Sequence, residues 1–436
     1  MRKILSIIFL FSFTGLAAQT LPGVNYAKPT SGPMVIYSTE QEAETADTEA
    51  DNRYTTHLRD WTREGAKFSS RFTMPFAWAN RQVLLDVDAA SGAYAVRVNG
   101  TEIEENTVGA LAGQFNISKA VREGQNTVEI EILSEQEFAR LEDWKSSSEP
   151  FLGAVRVVAP PKMHIRDILT RTWRSDNATR EAIAEVGIVV KSDALNTRTS
   201  HLYYTLESPL GERVFMGHQE VTLNLKGEDT LRFLARIPYP MMWSDRNPKR
   251  YTLRVKTQHE GRFVEFVKME IGFCLVQQTD EGLMINGEKG EFKAATAKPT
   301  LTNREIDDLK LSGVNLLVME PGAVRRGFYD YCDRVGMYVV AQVPIDTHLS
   351  GSSRRKGGNP SNDPAWQEEF VKRAEKAFHA TKRHPSVIAF SMARESANGI
   401  NLYETFLRLK QHNDPRPIIY TDGGGEWNTD KIFFTR

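Results

Sequence analysis

The chain has 436 residues, enough for two to four domains at roughly 100–200 residues each. Its formal net charge of −1 at pH 7 lacks the basic excess that marks nucleic-acid-binding proteins. With only two cysteines, Cys274 and Cys332, the fold cannot rest on a disulfide framework, and the sequence leaves open whether these two pair.

The N-terminal segment has the order of a secretory signal peptide. Arg2 and Lys3 precede a mainly apolar stretch at residues 4–16, and two alanines follow it. The alternative, a membrane anchor, is disfavoured because a spanning helix needs about 20 apolar residues. We therefore predict that residues 1–18 are a cleaved signal peptide. The mature chain, with no later stretch apolar enough to span a bilayer, is expected in the periplasm, the cell envelope or outside the cell.

Residues 19–162 alternate between short β-rich runs and turn residues. At Asn99-Gly100, apolar residues alternate on both sides of a dipeptide that strongly favours a two-residue hairpin. Many short, evenly spaced strands are typical of an antiparallel fold, so we predict a jelly-roll-like β-sandwich. The clearest runs are residues 67–72, 83–87, 94–98, 127–133 and 154–158.

Residues 163–280 form a second β-rich block after Pro160-Pro161. With about seven candidate strands, the block has the size of an immunoglobulin-like sandwich. Neither block contains a helix-period run of useful length. The clearest runs are residues 185–190, 201–206, 230–237, 251–257 and 264–272.

Residues 281–436 change to a strand–helix alternation. Within residues 363–379, Trp366, Phe370 and Ala374 recur at helical spacing. Short continuous apolar runs such as VNLLVM and SVIAFSM are typical of parallel strands covered on both faces. We count five strand–helix units, the first of which has a weak strand near residues 292–295. The run IFFTR at residues 432–436 suggests a sixth strand. The predicted fold is thus multidomain β plus α/β, with two sandwiches followed by a partial (β/α) TIM-type barrel.

Five segments occur in order along the chain: EDWKSSSEPFLGAVRVVAPPKMHIRD, MMWSDRNPKRYTLRV, FYDYCDRVGMYVVAQ, HPSVIAFSMARES and NDPRPIIYTDGGG. Together they resemble glycoside hydrolase family 2, in its β-galactosidase branch. The resemblance implies a sugar-binding jelly roll, an immunoglobulin-like sandwich and a catalytic barrel. It also implies a retaining β-glycosidase that acts on carbohydrate.

The resemblance places Glu395 at the acid/base position. A retaining glycosidase uses two carboxyl groups about 5–5.5 Å apart, one to donate a proton and one to attack the anomeric carbon. Glu395 follows the apolar run SVIAFSM, so we expect it at the C-terminal end of a barrel strand, where the loops build the pocket. Arg394, Asp422 and Trp427 are candidate substrate-binding residues.

Four departures from the family pattern predict that this chain is inactive. Arg394 stands where the family has an asparagine that bonds the sugar 2-hydroxyl, and its charge is expected to lower the pKa of Glu395, whereas a general acid needs a raised pKa. FKAATAKPTL after INGE replaces a family strand, and MEPGAVRRG replaces a segment with a sugar-contacting histidine. The family's nucleophile belongs to a later strand that this sequence does not reach. Asp422 and Glu426 do not match the nucleophile motif and are interpreted as loop residues.

No cofactor and no metal are expected. The histidines of the third block do not show metal-ligand spacing, and the sequence lacks a phosphate-binding loop and a nucleophile-elbow serine motif. The histidines concerned are His348, His379, His384 and His412.

Three functions stay open at this point. The chain is a degenerate family member that keeps glycan binding or a scaffold role, or an active β-glycosidase completed by a second chain or by self-association, or a non-catalytic component of an envelope complex. A partial barrel leaves strand edges unpaired, and unpaired edges favour association. We therefore expect a protein partner or a second copy to cover the open barrel edge, and no nucleic-acid partner.

The order of the N-terminal residues predicts cleavage after Ala17 or Ala18. The measurement is the intact mass of the protein purified from its native host. The expected result is a chain shortened by 17 or 18 residues. A protein that still begins at Met1 would contradict the predicted compartment.

Overall fold

The computed structural model describes residues 32–133, 137–144, 149–174, 181–355 and 357–434. The predicted signal peptide, residues 1–18, lies outside this part of the chain, so its cleavage stays a prediction. None of the helices in the described ranges has the length and apolar character needed to cross a membrane. A short helix, α1 (Glu40–Thr45), precedes the first strand and was not expected. Its sequence signal is the capping box formed by Thr39 and Glu42, which a search for long apolar stripes overlooks.

The first part of the chain is an antiparallel β-sandwich, as predicted. One sheet has the strand order β1-β9-β4-β7 and the other β2-β3-β8-β5-β6. Alternate residues from both sheets, among them Leu85, Val96 and Ile130, are fully buried between them. The strands are β1 (Thr55–Leu58), β2 (Thr62–Glu64), β3 (Lys67–Met74), β4 (Leu84–Val87), β5 (Tyr94–Val98), β6 (Thr101–Asn106), β7 (Gly113–Asn116), β8 (Gly124–Ile132) and β9 (Val155–Val158).

The hairpin predicted at Asn99-Gly100 is present. Val98 of β5 pairs with Thr101 of β6, which leaves a two-residue turn. Both turn residues have positive φ, +51° for Asn99 and +79° for Gly100. That pair of conformations is the one a type I′ turn needs, and asparagine and glycine adopt it at low cost.

The second part is also a sandwich of two antiparallel sheets, ordered β10-β11-β14 and β13-β12-β15-β16. Tyr204 and Phe233 stack across the two sheets with ring centroids 4.0 Å apart. The seven strands agree with the predicted number, and β10 and β13 are the two that lie outside the clearest sequence runs. The strands are β10 (Met163–Arg174), β11 (Glu181–Ser192), β12 (Arg198–Glu207), β13 (Arg213–Leu223), β14 (Glu228–Pro238), β15 (Tyr251–His259) and β16 (Arg262–Ile271).

The third part contains a five-stranded parallel sheet in the order β20-β21-β22-β23-β24, as the strand–helix alternation predicts. A small antiparallel sheet, β17 (Val276–Thr279), β18 (Gly282–Ile285) and β19 (Glu288–Lys289), precedes it. The expected boundary near residue 280 lies in the β17–β18 turn, and the domain boundaries stay a prediction. The other elements are β20 (Ala294–Ala297), α2 (Asn303–Leu311), β21 (Leu316–Met319), α3 (Phe328–Val335), β22 (Tyr338–Gln342), α4 (Gln367–Thr381), β23 (Val387–Ser391), α5 (Ile400–Lys410) and β24 (Ile418–Ile419).

Both faces of the parallel sheet are buried. On one face Leu317 and Val339 pack with residues of the helices. On the opposite face Leu316 and Val340 pack with Trp243, which belongs to the second sandwich, and with the β17–β18 hairpin. The continuous apolar strands are therefore covered on both faces of the sheet, as is usual for parallel strands.

The suggested sixth strand at IFFTR is wrong for the residues that the structure describes there, 432–434. The chain instead turns back beside β24, where the Asp430 N–H donates to the Ile418 carbonyl oxygen (2.9 Å). Phe433 then packs on Phe292 with ring centroids 5.1 Å apart. An apolar run can cover a sheet face as well as extend a sheet, and its sequence does not distinguish the two.

Cys274 and Cys332 are both free thiols. Burial raises the pKa of the Cys274 thiol to about 12 and also raises the pKa of Cys332. Because the thiolate is the reactive form, these cysteines are packing residues.

A buried carboxyl group in the second sandwich makes stability depend on pH. Glu265 is fully buried and accepts hydrogen bonds from the Ile165 N–H (3.1 Å) and the Thr257 hydroxyl (3.2 Å). Burial raises its pKa from 4.5 to about 8. The folded state therefore binds a proton that the unfolded state has lost, and the stability from Glu265 falls as the pH rises from 4.5 to about 8.

Glu265→Gln keeps the hydrogen-bonding groups and removes this titration. Relative to the wild type, the variant should gain stability as the pH rises from 4.5 to about 8, by a few kcal/mol at the upper end. Thermal unfolding across this pH range is the measurement, with Glu212→Gln, an exposed turn residue, as the control. An equal pH dependence in wild type and Glu265→Gln would contradict the prediction.

Candidate active site

Polar side chains follow four neighbouring strands of the parallel sheet. Glu320 comes directly after β21, Asp346 and His348 follow β22, Glu395 follows β23 and Asp422 follows β24. Because the carboxyl ends of parallel strands meet at one edge of the sheet, these residues share that edge. The sheet edge is where catalytic residues of a barrel lie, so it is the candidate active site.

Glu395 lies at this edge, as its place after SVIAFSM predicts. Its backbone has a φ of +42°, in the left-handed region that a residue with a Cβ rarely adopts. Its N–H donates to Oδ2 of Asp422 (2.9 Å), and its side chain is half exposed. A strained backbone held by a hydrogen bond from a neighbouring loop is common at functional sites. Asp422, interpreted from the sequence as a loop residue, is thus part of the site.

Arg394 joins two strand ends. Its Nη1 donates to Oε1 of Glu320 (2.7 Å), and its Nε lies 3.3 Å from Oε1 of Glu395. The Glu320 bond is the main cause that raises the pKa of Arg394. The sequence reading paired Arg394 with Glu395 alone and missed Glu320. Glu320 opens the MEPGAVRRG segment after its Met, and its position next to an apolar strand was the available signal.

His348 and Asp346 are further site residues that the sequence reading missed. Nδ1 of His348 donates to Oδ1 of Asp346 (2.9 Å), and this bond raises the pKa of His348. Asp143 of the first part reaches the same loop, because its Oδ2 accepts from the Leu349 N–H (2.8 Å). The sequence signal for Asp346 and His348 was the segment IDTH directly after the apolar run MYVVAQVP. No sequence signal pointed to Asp143, because it lies about 200 residues earlier in the chain.

Asp143, Asp346 and His348 could together hold a divalent cation, since one ligand atom from each lies within 4.8 Å of the others. Carboxylate oxygens and an imidazole nitrogen are suitable donors for such an ion. The expectation that no metal is bound stays a prediction, since the clustering shows only that the three side chains lie close together. The three residues come from two distant parts of the chain, which spacing cannot show.

Trp427, a predicted substrate contact, lies after the glycine-rich turn that follows β24. It exposes 61% of its surface. Its ring packs edge-on against Tyr403 of α5 at 4.8 Å and against Phe406 at 6.3 Å. In the same loop Glu426 forms an ion pair with Arg354 of the loop after β22. The structure thus brings Glu395, Arg394 and Asp422 together, while the contacts of Trp427 are with α5.

The polar side chains at the carboxyl ends of the strands can hydrogen-bond a polyhydroxylated ligand. Two of the carboxylates there also accept hydrogen bonds from residues of neighbouring loops. A retaining mechanism needs a second carboxylate about 5–5.5 Å from the acid/base group and free to attack carbon. Asp422 accepts from the backbone of Glu395, and Glu320 accepts from Arg394. Both therefore support the loops around Glu395.

Two family models that match this chain belong to the same family. Residues 163–273 match the family "Glycosyl hydrolases family 2", and residues 323–435 match "Glycosyl hydrolases family 2, TIM barrel domain". Together the two matches cover about half of the 436 residues. A β-galactosidase of Yersinia pestis (strain Angola) is 26% identical over 82% of this chain, and one of Priestia megaterium is 22% identical over 80%.

Solved structures show the same fold. The Bacteroides uniformis β-glucuronidase superposes with a TM-score of 0.69 at 17% identity, covering 90% of this chain and 52% of its own. A glycosyl hydrolase family 2 member from Bacteroides cellulosilyticus gives a TM-score of 0.67 at 18% identity, covering 81% of this chain and 49% of its own. The chain spans 35–36% of the length of the two β-galactosidases. On the two family matches and the shared fold, the chain belongs to glycoside hydrolase family 2.

Proposed function

We propose that this chain binds carbohydrate at the sheet edge around Glu395 and does not hydrolyse β-glycosides by itself. The observation that carries the proposal is the Arg394 guanidinium, which contacts both Glu320 and Glu395. Export to the periplasm, the cell envelope or the extracellular space is part of the proposal and follows from the N-terminal sequence.

Arg394 opposes acid/base catalysis through its geometry. Its guanidinium lies 3.3 Å from Glu395 and reaches from the end of β23 to Glu320. It therefore fills the place beside Glu395 where the family's asparagine would meet the sugar 2-hydroxyl.

The accessible groups at the edge support carbohydrate as the ligand. Glu395 and His348 expose 50% and 40% of their side chains, and Asp422 is also exposed. These side chains offer both hydrogen-bond donors and acceptors, which sugar hydroxyls need. The β-galactosidase and β-glucuronidase relatives support a β-linked hexose as the sugar class.

A second candidate function is an active β-glycosidase completed by another chain or by self-association. It is favoured by the edge strand β20, which has one strand neighbour in the described sheet. A non-catalytic component of an envelope complex would bind a protein partner through the edge strand and would need no carbohydrate ligand.

We expect the purified chain to give no Glu395-dependent turnover of aryl β-galactosides or β-glucosides. The physical reason is that Arg394 occupies the place beside Glu395 that the family's asparagine takes, and that neither Asp422 nor Glu426 matches the family's nucleophile motif. Wild type and Glu395→Gln should release chromophore at the same background rate, while a working general acid would separate them by about 10²–10⁴-fold. Glu368→Gln, an exposed residue of α4, is the matched control.

Turnover by the isolated chain that Glu395→Gln abolishes would contradict the proposal. Turnover that needs a co-purifying chain would support the second candidate function. Arg394→Asn should not restore activity, because it leaves Glu320 without its ion-pair partner and supplies no nucleophile.

The binding part of the proposal has its own test. A non-hydrolysable thio-β-galactoside should bind the wild-type chain, and Glu395→Leu should raise its Kd about tenfold, since a hydrogen bond to a charged group contributes about 1.5–3 kcal/mol. Isothermal titration calorimetry measures both values, with Glu368→Leu as the control. Equal affinity in wild type and Glu395→Leu would place sugar binding elsewhere.

A further inference from the structure

A segment of the first sandwich is hydrogen-bonded into the loop that carries the site. The Asp346 N–H donates to the Leu141 carbonyl oxygen (2.9 Å), and the Asp143 N–H donates to the Asp346 carbonyl oxygen (3.1 Å). Leu141 is fully buried in the apolar cluster on the helix face of the parallel sheet. The segment 141–143 is therefore built into the edge of the sheet, although it precedes β20 by about 150 residues.

The same loop is hydrogen-bonded to the residue that precedes Glu395. The Arg394 N–H donates to the Ile345 carbonyl oxygen (2.9 Å), and Asp346 forms parallel bridges with both Glu142 and Arg394. Three backbone segments thus lie side by side, in the order 141–143, 345–346 and 394. A shift of the first segment would move Asp346 and, through it, the backbone of Arg394.

Arg373 of α4 holds the outer segment in place. Its Nη1 donates to Oε1 of Glu142 (2.8 Å) and to the Pro344 carbonyl oxygen (3.0 Å), and its Nη2 donates to the Thr107 carbonyl oxygen (3.0 Å). The side chains of Arg373 and Glu142 are 0% and 2% exposed. A buried ion pair of this kind adds little net stability but fixes geometry, because either charge left alone inside the protein is costly.

We infer that Arg373 and Glu142 are positioning residues for the sheet edge, acting through Asp346 on Arg394 and Glu395. They join the first sandwich, α4 and the loop after β22 at one point, so the sandwich takes part in shaping the site. The inference rests on the proposed function only where it says that a ligand would feel this positioning. The placement of the backbone segments can be tested without any ligand.

The test uses a double variant, Glu142→Leu/Arg373→Met, which removes both charges of the buried pair. Glu369, 3.7 Å from Nε of Arg373, keeps Lys372 as an ion-pair partner (3.1 Å). The amides of Asp143, Asp346 and Arg394 should exchange with deuterium at least tenfold faster than in the wild type, while the amides of β22 and β23 keep their rates. Glu142→Gln, which keeps an oxygen for Arg373, should retain most of the protection.

The matched control is Asp86→Leu/Arg156→Met, which removes a buried ion pair between β4 and β9 of the first sandwich, with side chains 1% and 5% exposed. The other hydrogen bonds of this pair go to Gln114 and to the Pro33 carbonyl oxygen, outside the three segments. It should leave the three amides protected. Unchanged exchange in the Glu142→Leu/Arg373→Met variant, or equal loss in the control, would overturn the inference. If the double variant fails to fold, the single variant Arg373→Lys decides the matter. It keeps a charge beside Glu142 but cannot reach Glu142, Pro344 and Thr107 together, so the same amides should lose protection.

Titration with the thio-β-galactoside separates this inference from the proposed function. If the wild type binds the probe, the Glu142→Leu/Arg373→Met variant should bind it with a Kd at least fivefold higher, and the control variant should bind it as the wild type does. An unchanged Kd in Glu142→Leu/Arg373→Met would show that the positioning has no effect on the ligand. If the wild type does not bind the probe, the proposed function fails, and the exchange rates still decide whether Arg373 and Glu142 position the edge.

Discussion

The parallel sheet is apolar on both faces, and the need to cover both faces organises the C-terminal half of the molecule. Helices supply one cover, through residues such as Phe328 and Phe370. The other cover comes from the β17–β18 hairpin and from Trp243 of the second sandwich, whose indole N–H donates to the Asp333 carbonyl oxygen (2.7 Å). Because Trp243 covers part of one sheet face, the second sandwich and the parallel sheet share a buried interface.

This covering leaves the carboxyl ends of the strands as the accessible edge. The chemistry of the protein is concentrated there, in loops that brace one another: Asp422 holds the strained backbone of Glu395, and Glu320 holds Arg394. The side chains of such a site are held by neighbouring loops, as the support of a pre-organised site requires.

Arg394 and Glu320 are best understood as a pair. Each stands at the end of a different strand, and each departs from the family segment that the sequence resembles. Their ion pair satisfies both charges at a partly exposed edge, with side chains 31% and 27% exposed. Replacing Arg394 alone would leave Glu320 without this ion pair, whereas Arg394 would keep its contact with Glu395 if Glu320 were replaced.

The sequence by itself determined the order of the three parts, the hairpin at Asn99-Gly100, the parallel strands and the position of Glu395. These features depend on local periodicity, turn chemistry and motif context, which are properties of neighbouring residues. Only the tertiary structure decided that Glu320 pairs with Arg394, that Asp143 joins Asp346 and His348, and that Phe433 covers a sheet face. Such contacts join residues far apart in the chain, and they form only because the strand ends, the sandwich segment and the helices are packed around the same sheet.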